Sequence, residues 1–302
     1  MDVLLAVLLG FVQALTEFLP VSSTAHLLIV GELFGHQLDD ARFRAFVAII
    51  QSGTTLAVLV YFRADLSRIL GAGVRSLTRL RPLENVESRL AWYIVLGTIP
   101  AAVAGLLFER RIEALGNWVM VGSLIGLGLV LLLAEKLARH TRAIENVTAT
   151  DALLVGVGQA VALIPGCSRS GTTITTGMLL GFQREAAARF SFLLSVPIIL
   201  GAGAYKLYKV LPDLRGEPAW TAATLVGTVV SAIFGYLVIG WLLGWLRTRT
   251  TYVFVVWRIV AGVVLAALIA WGVLPSSTAP GGAPHGRGDS GGTSWVVVGE
   301  RE

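Results

Sequence analysis

Apolar residues run almost unbroken through six long stretches of the chain, near 42–62, 89–108, 117–137, 186–208, 219–243 and 252–274. Each approaches or reaches the roughly 20 residues that an α-helix needs to cross a bilayer. Two further regions, 2–34 and 151–181, are apolar at both ends but broken halfway by a polar cluster. Their halves, about 10–16 residues each, sit at or below the lower limit for a spanning helix. They read as re-entrant helical hairpins, which survive at membrane depth only where protein or a wet cavity covers the exposed backbone. The pattern predicts an all-α polytopic membrane protein.

The two halves of the chain resemble each other. Gly10-x-x-Gln13-Ala14 recurs as Gly156-x-x-Gln159-Ala160, and Pro20 with Ser23 recurs as Pro165 with Ser168. Phe46 and Tyr61 return at one common spacing as Phe190 and Tyr205, and GTIPAAVAGLL from Gly97 is echoed by GTVVSAIFGYL from Gly227. The matches keep their order, which points to a duplication with repeats at about 1–140 and 150–274 in a single membrane domain, 1–274. Each repeat would hold one re-entrant hairpin and three crossings. Three is odd, so the second repeat enters the membrane upside down: an inverted-topology repeat, whose broken helices place their polar turns near the midplane.

Composition agrees. The 302 residues are 55% hydrophobic and 14% charged, where a soluble domain has about 25% charged residues, and the mean hydropathy is +0.75. The first apolar stretch has no basic residues before it and runs into the first polar cluster, so it is read as membrane domain rather than as a cleaved leader. The single cysteine, Cys167, rules out an intrachain disulfide and a cysteine-based zinc site. The net charge of +5 lies in loops between apolar segments, which argues against a nucleic-acid partner. Basic residues of 63–89, 136–142, 184–189 and 247–249 outnumber those of 42–44, 110–111 and 206–215. The first set therefore marks the cytoplasmic side, and both termini and the mouth of the first hairpin face outward. The tail, 275–302, is rich in Gly, Ser and Pro and is expected to be disordered; its RGD triplet at 287–289 reads as an accident of composition.

The two polar clusters are EFLPVSSTAH, from Glu17 to His26, and PGCSRSGTT, from Pro165 to Thr173. Ionisable groups at membrane depth are costly and are read by default as functional. In the second cluster, a Gly-containing turn that opens a helix offers unpaired N–H groups and the positive end of a dipole to an anion. Arg169 adds a planar fork for phosphate oxygens, and Ser168, Ser170, Gly171, Thr172 and Thr173 are candidate substrate-binding residues, with Ser22 from the first cluster. In that first cluster, Ser23 and His26 share a helix face if the half-helix starts near Val21 or Ser22, and a hydroxyl near an imidazole is a candidate nucleophile. Gln13 and Glu17, four apart, can both point at one cation. Arg258 and Glu135 lie near the ends of apolar segments and read as snorkelling or interfacial. Gln51, Ser52, Thr54, Ser191 and Ser195 either line a cavity or mediate helix packing, and Trp118, Trp241, Trp245 and Trp257 fit interfacial anchors.

On these residues the sequence resembles the undecaprenyl-diphosphate phosphatase family associated with bacitracin resistance. QALTEFLPVSSTAHL, from Gln13, is similar to the family's (Glu/Gln)-x-x-x-Glu motif with its following Ser and His. PGCSRSGTT is similar to its PGxSRSGxT motif, and FSFLLSVP from Phe190 also resembles the family. Gln13 takes the less acidic option, which leaves Glu17 as the one carboxylate of that motif. The resemblance covers nearly the whole chain apart from the tail. It implies hydrolysis of a polyprenyl diphosphate to the monophosphate and inorganic phosphate at the outer face of the bacterial cytoplasmic membrane, returning the lipid carrier to cell-wall synthesis. It also implies a divalent cation, Mg²⁺ or Ca²⁺. On this footing Glu17, Ser23, His26 and Arg169 are the catalytic candidates. Ser23 attacks phosphorus with His26 as base or positioning group, and Glu17 with Gln13 holds the cation or orients His26; His26 as nucleophile is the internal rival.

Two other readings remain. Inverted repeats with broken helices also build secondary transporters, so the same groups could carry a lipid phosphate across without hydrolysis. The acid-phosphatase type of membrane lipid phosphatase is disfavoured, because no Pro-Ser-Gly-His string is present and His36, His140 and His285 fall in loops or the tail. The oligomeric state is left open, a homodimer included.

Overall fold

A computed structural model describes residues 1–36, 40–210 and 218–276. The predicted tail and its RGD triplet lie, apart from Pro275 and Ser276, outside the described residues. Eleven α-helices follow one another among those described: α1 (Val3–Phe18), α2 (Ser23–Leu33), α3 (Ala41–Tyr61), α4 (Arg63–Thr78), α5 (Val86–Glu113), α6 (Asn117–Leu137), α7 (Ala149–Val161), α8 (Arg169–Leu179), α9 (Arg184–Val210), α10 (Pro218–Thr248) and α11 (Tyr252–Ala270). Six of them, α3, α5, α6, α9, α10 and α11, are long and apolar enough to cross a membrane. They fall on the six predicted stretches.

The two interrupted regions form the helix pairs α1–α2 and α7–α8, and in each pair the halves pack on each other. At 1.5 Å per residue the 16-, 11-, 13- and 11-residue halves are short for a 30 Å hydrocarbon layer. Both breaks are made by backbone that helices do not adopt. Ser22 has φ 76° and Ser168 φ 68°, and Gly166 stands at φ 87°. Each left-handed serine is the residue just before its second half-helix.

The hairpins seat against long helices of the other half of the chain: α1 against α10, and α7 against α5. Glycines set both crossings. A Cβ on Gly10 would lie 2.4 Å from Gly227 O, and one on Gly156 would lie 2.2 Å from Gly97 O. Such backbone-to-backbone contact is how apolar helices pack when lipid offers no hydrophobic penalty. These are the glycines that the duplicated strings put in register.

The helix α4 was not anticipated: the sequence pattern leaves 63–78 as a loop. Its Leu70, Val74 and Leu77 are exposed while Ile69, Ala72 and Ser76 are buried, so it packs one side on α5 and leaves an apolar stripe uncovered, the form of a helix lying in a membrane interface. Sixteen residues with four arginine or aspartate positions are too short and too polar for the spanning pattern. Ion pairs fasten the arginine-rich side: Arg189 to Asp65 (2.8 Å), Arg142 to Asp151 (2.5 Å), and Arg184 to Glu135. Glu135 is 6% exposed and also accepts from Thr251 Oγ1 at 2.8 Å, so it ties α6 to the start of α11.

Candidate active site

The turns of the two hairpins meet. Glu17, in the last turn of α1, directs Oε1 to Arg169 Nη2, to which it is ion-paired. Its Oε2 accepts from Ser23 Oγ at 2.9 Å and from Gln13 Nε2 at 3.1 Å. Arg169, with no acid near it in sequence, thus finds its counter-ion across 152 positions. Ser23 and Arg169 are each the first residue of their half-helix. Four of the predicted residues, Gln13, Glu17, Ser23 and Arg169, are one hydrogen-bonded group.

His26 stands on the next turn of α2, but its ring nitrogens go elsewhere. Nδ1 donates to Ser22 O at 2.7 Å, and Nε2 accepts from Trp257 Nε1 at 2.7 Å. The two ring planes are 8° apart with centroids separated by 5.9 Å, so imidazole and indole meet edge to edge along that hydrogen bond. Among the described residues no hydrogen bond joins Ser23 to His26, so the carboxylate, not the imidazole, holds the Ser23 proton in this conformation.

The hydroxyl row of α8 mostly faces inward. Ser170 Oγ donates to Leu19 O at 2.9 Å and to Glu17 O at 3.2 Å, latching α8 onto the end of α1. Thr172 donates to Ser168 O and Arg169 O, each at 3.1 Å. Thr173 donates to Arg169 O at 2.7 Å and meets Ser191 Oγ at 2.5 Å, so Ser191 braces the site helix. Thr54 and Ser195 donate to carbonyls of their own helices. Ser170, Thr172 and Thr173 are at most 3% exposed, whereas Ser23, His26, Ser168 and Arg169 are half-buried and accessible. Ser168 Oγ accepts from the Gly171 N–H at 3.1 Å. Ser22, 2% exposed, contributes backbone shape and a carbonyl, and its side chain does not cap α2. The first N–H groups of α2 therefore have no side-chain cap, and such a terminus suits an anion.

The donors for a cation are hard oxygens: the Glu17 carboxylate, the Gln13 amide oxygen and the Ser23 hydroxyl. Among the described residues no group of three His, Cys, Asp or Glu side chains could hold a metal ion. The set fits an ion shared with phosphate oxygens, as Mg²⁺ is commonly held, and not a closed protein cage.

Two residues at the site went unread in the sequence. Trp257, which the sequence pattern reads as an interfacial anchor, is exposed and also holds His26. Arg258, which the sequence pattern reads as snorkelling from a helix end, is 1% exposed and two turns inside α11. The signal for Arg258 is present as an arginine within an apolar run: the helix starts at Tyr252, as the stretch 252–274 predicts, and six residues further in is already beyond the reach of the helix end.

A multi-pass helical membrane protein with a carboxylate, a hydroxyl and a guanidinium gathered between two broken helices is built to handle an anionic group at the edge of an apolar phase. The bacitracin resistance protein BacA family matches residues 6–264, and the chain belongs to that family. It is 72% identical over 284 residues, 94% of this chain and 93% of the relative, to the undecaprenyl-diphosphatase of Anaeromyxobacter sp. (strain Fw109-5). It is 49% identical to the undecaprenyl-diphosphatase of Myxococcus xanthus (strain DK1622), with 91% of each chain covered. It is 46% identical to that of Chloroherpeton thalassium (strain ATCC 35110 / GB-78), covering 91% of this chain and 99% of the relative.

Proposed function

We propose that the protein is an integral membrane phosphatase that hydrolyses undecaprenyl diphosphate to undecaprenyl phosphate and inorganic phosphate. It works at the outer face of the bacterial cytoplasmic membrane, recycles the lipid carrier for peptidoglycan synthesis and thereby confers bacitracin resistance. The observation that carries this reading is the Glu17 carboxylate shared by Ser23 of one hairpin and Arg169 of the other, in a chain that matches relatives named for this reaction over more than nine-tenths of its length.

The diphosphate enters at the N-termini of α2 and α8 and exchanges with Glu17 for the Arg169 fork. Ser23 Oγ attacks the terminal phosphorus; the new bond is Ser23 O–P, and the bond that breaks is P–O to the bridging oxygen, which leaves as the polyprenyl monophosphate. The Ser23 proton passes to the carboxylate already hydrogen-bonded to it, Glu17. Arg169 and the free N–H groups of α2 and α8 carry the charge that spreads over the phosphoryl oxygens, the kind of preorganised stabilisation that dominates such transfers. A water then cleaves the phosphoserine, with the proton returned from the base. His26 can serve that second step once its Nε2 leaves Trp257. A divalent cation held by Glu17 and Gln13 would supply charge neutralisation at the phosphate oxygens.

The test is release of inorganic phosphate by purified protein from undecaprenyl diphosphate in detergent, with and without chelator, in wild type and in E17Q, S23A, H26A and R169A. Release that collapses in E17Q, S23A and R169A is expected. Binding or vesicle translocation of the lipid with no phosphate released would replace this reading by transport.

A further inference from the structure

Arg258 carries a full positive charge in the middle of the membrane domain, and each of its hydrogen bonds ends on a main-chain carbonyl. Nη1 donates to Pro20 O in the turn of the first hairpin, and Nη2 donates to Gly166 O in the turn of the second, both at 3.1 Å. Nη2 also donates to Ser123 O and Nε to Leu124 O, again at 3.1 Å, both on α6. A Cβ placed on Gly171 would lie 3.0 Å from Nη1, so the guanidinium sits beneath the first turn of α8. Pro20 and Gly166 hold the same place in the two hairpins, each two residues before its left-handed serine. Carbonyls freed where a helix breaks have no water to turn to at this depth. Burying a charge to satisfy them is expensive unless hydrogen bonds compensate it. A neutral side chain can serve one or two of these oxygens; a rigid five-donor fork serves four at once.

We infer that Arg258 is a positioning residue of the diphosphate site. It bolts the two turns to each other and to α6, and so fixes the separation of Ser23 from Arg169. Its charge, for which no acid is among its hydrogen-bond partners, adds to the positive potential at the α8 N-terminus. What the site does rests on the proposed function; the clamp between the turns does not.

The test compares wild type, R258K and R258M, purified in detergent. Three quantities are read: kcat and KM for phosphate release from undecaprenyl diphosphate, the thermal midpoint, and the labelling rate of Cys167 with a small maleimide. Cys167 is the chain's one cysteine, is 1% exposed and follows Gly166 directly, which makes it a native reporter on the second turn. Both variants are expected to stay folded and to label Cys167 faster than wild type. In R258M, KM should rise and kcat/KM should fall by about 10²-fold, the cost of an ångström-scale misplacement of reacting groups; R258K, with three donors, should fall between. The inference is overturned by wild-type labelling together with near-wild-type kcat/KM. A rate that only tracks the folded fraction at unchanged KM overturns it as well, and so does failure of both variants to fold, since either would make Arg258 a purely structural residue. A wild-type protein that releases no phosphate would refute the proposed function instead, while Cys167 labelling would still report on the clamp.

Discussion

At the position that opens the second half-helix, the first hairpin carries Ser23 and the second carries Arg169. One common offset separates Gly10 from Gly156, Gln13 from Gln159, Pro20 from Gly166, Ser22 from Ser168 and Leu33 from Leu179. By that offset the two hairpins have matching breaks, with a left-handed serine before each 11-residue half-helix. The chemistry is divided between them. The first supplies the hydroxyl and the acid; the second supplies the cation, and Leu163 stands where the first has Glu17. The glutamines show the consequence. Gln13 donates to Glu17, whereas both amide atoms of Gln159 are buried with no hydrogen-bond partner among the described residues. The two hairpins share a backbone course and carry unlike side chains, so they contribute unlike groups where their turns meet.

Substitutions at matched positions test that division. S23A removes the proposed attacking atom and should leave phosphate release at background while the protein still binds a non-hydrolysable prenyl methylene-diphosphonate. Its counterpart, R169A, should lose on the order of 10²–10³ in turnover, the usual effect of deleting one preorganised donor, and should lose analogue binding as well. Retained analogue affinity in R169A would show that the second hairpin does not hold the diphosphate.

Smaller effects sharpen the same contrast. Q13L unties Glu17 and should cut kcat by about tenfold, in line with the loss of a hydrogen bond to a charged group. Q159L, at the equivalent place, should leave kcat unchanged and raise stability by about 1 kcal/mol through removal of an unsatisfied buried amide, read as a higher thermal midpoint. Equal activity losses in the two leucine variants would contradict the asymmetry.

The spanning helices were legible because length and apolarity alone report them, and the two hairpins were legible because their polar clusters interrupt otherwise apolar runs. Glu17, Ser23 and Arg169 could be named from residue type and motif. Their pairing could not, since it joins residues 152 positions apart. Matching the repeats by identity paired Pro20 and Ser23 with Pro165 and Ser168, one step out of the structural register, because backbone conformation and not side-chain identity is what the two turns share. The inward aim of Ser170, Thr172 and Thr173 follows from helix phase against α1 and α9, which a list of hydroxyls does not contain. The helix α4 has a short, mixed sequence whose apolar stripe emerges only when it is wound as a helix. Trp257 and Arg258 were undervalued because their partners are carbonyls and an imidazole brought in by other helices.

The claim that the two turns form a single site is tested most directly by a double-mutant cycle on phosphate release, using wild type, E17Q, R169Q and the double variant. Groups that act as one unit lose their effect together. The account predicts that the double variant turns over within about tenfold of the slower single variant; losses that multiply would mean that Glu17 and Arg169 work at separate sites.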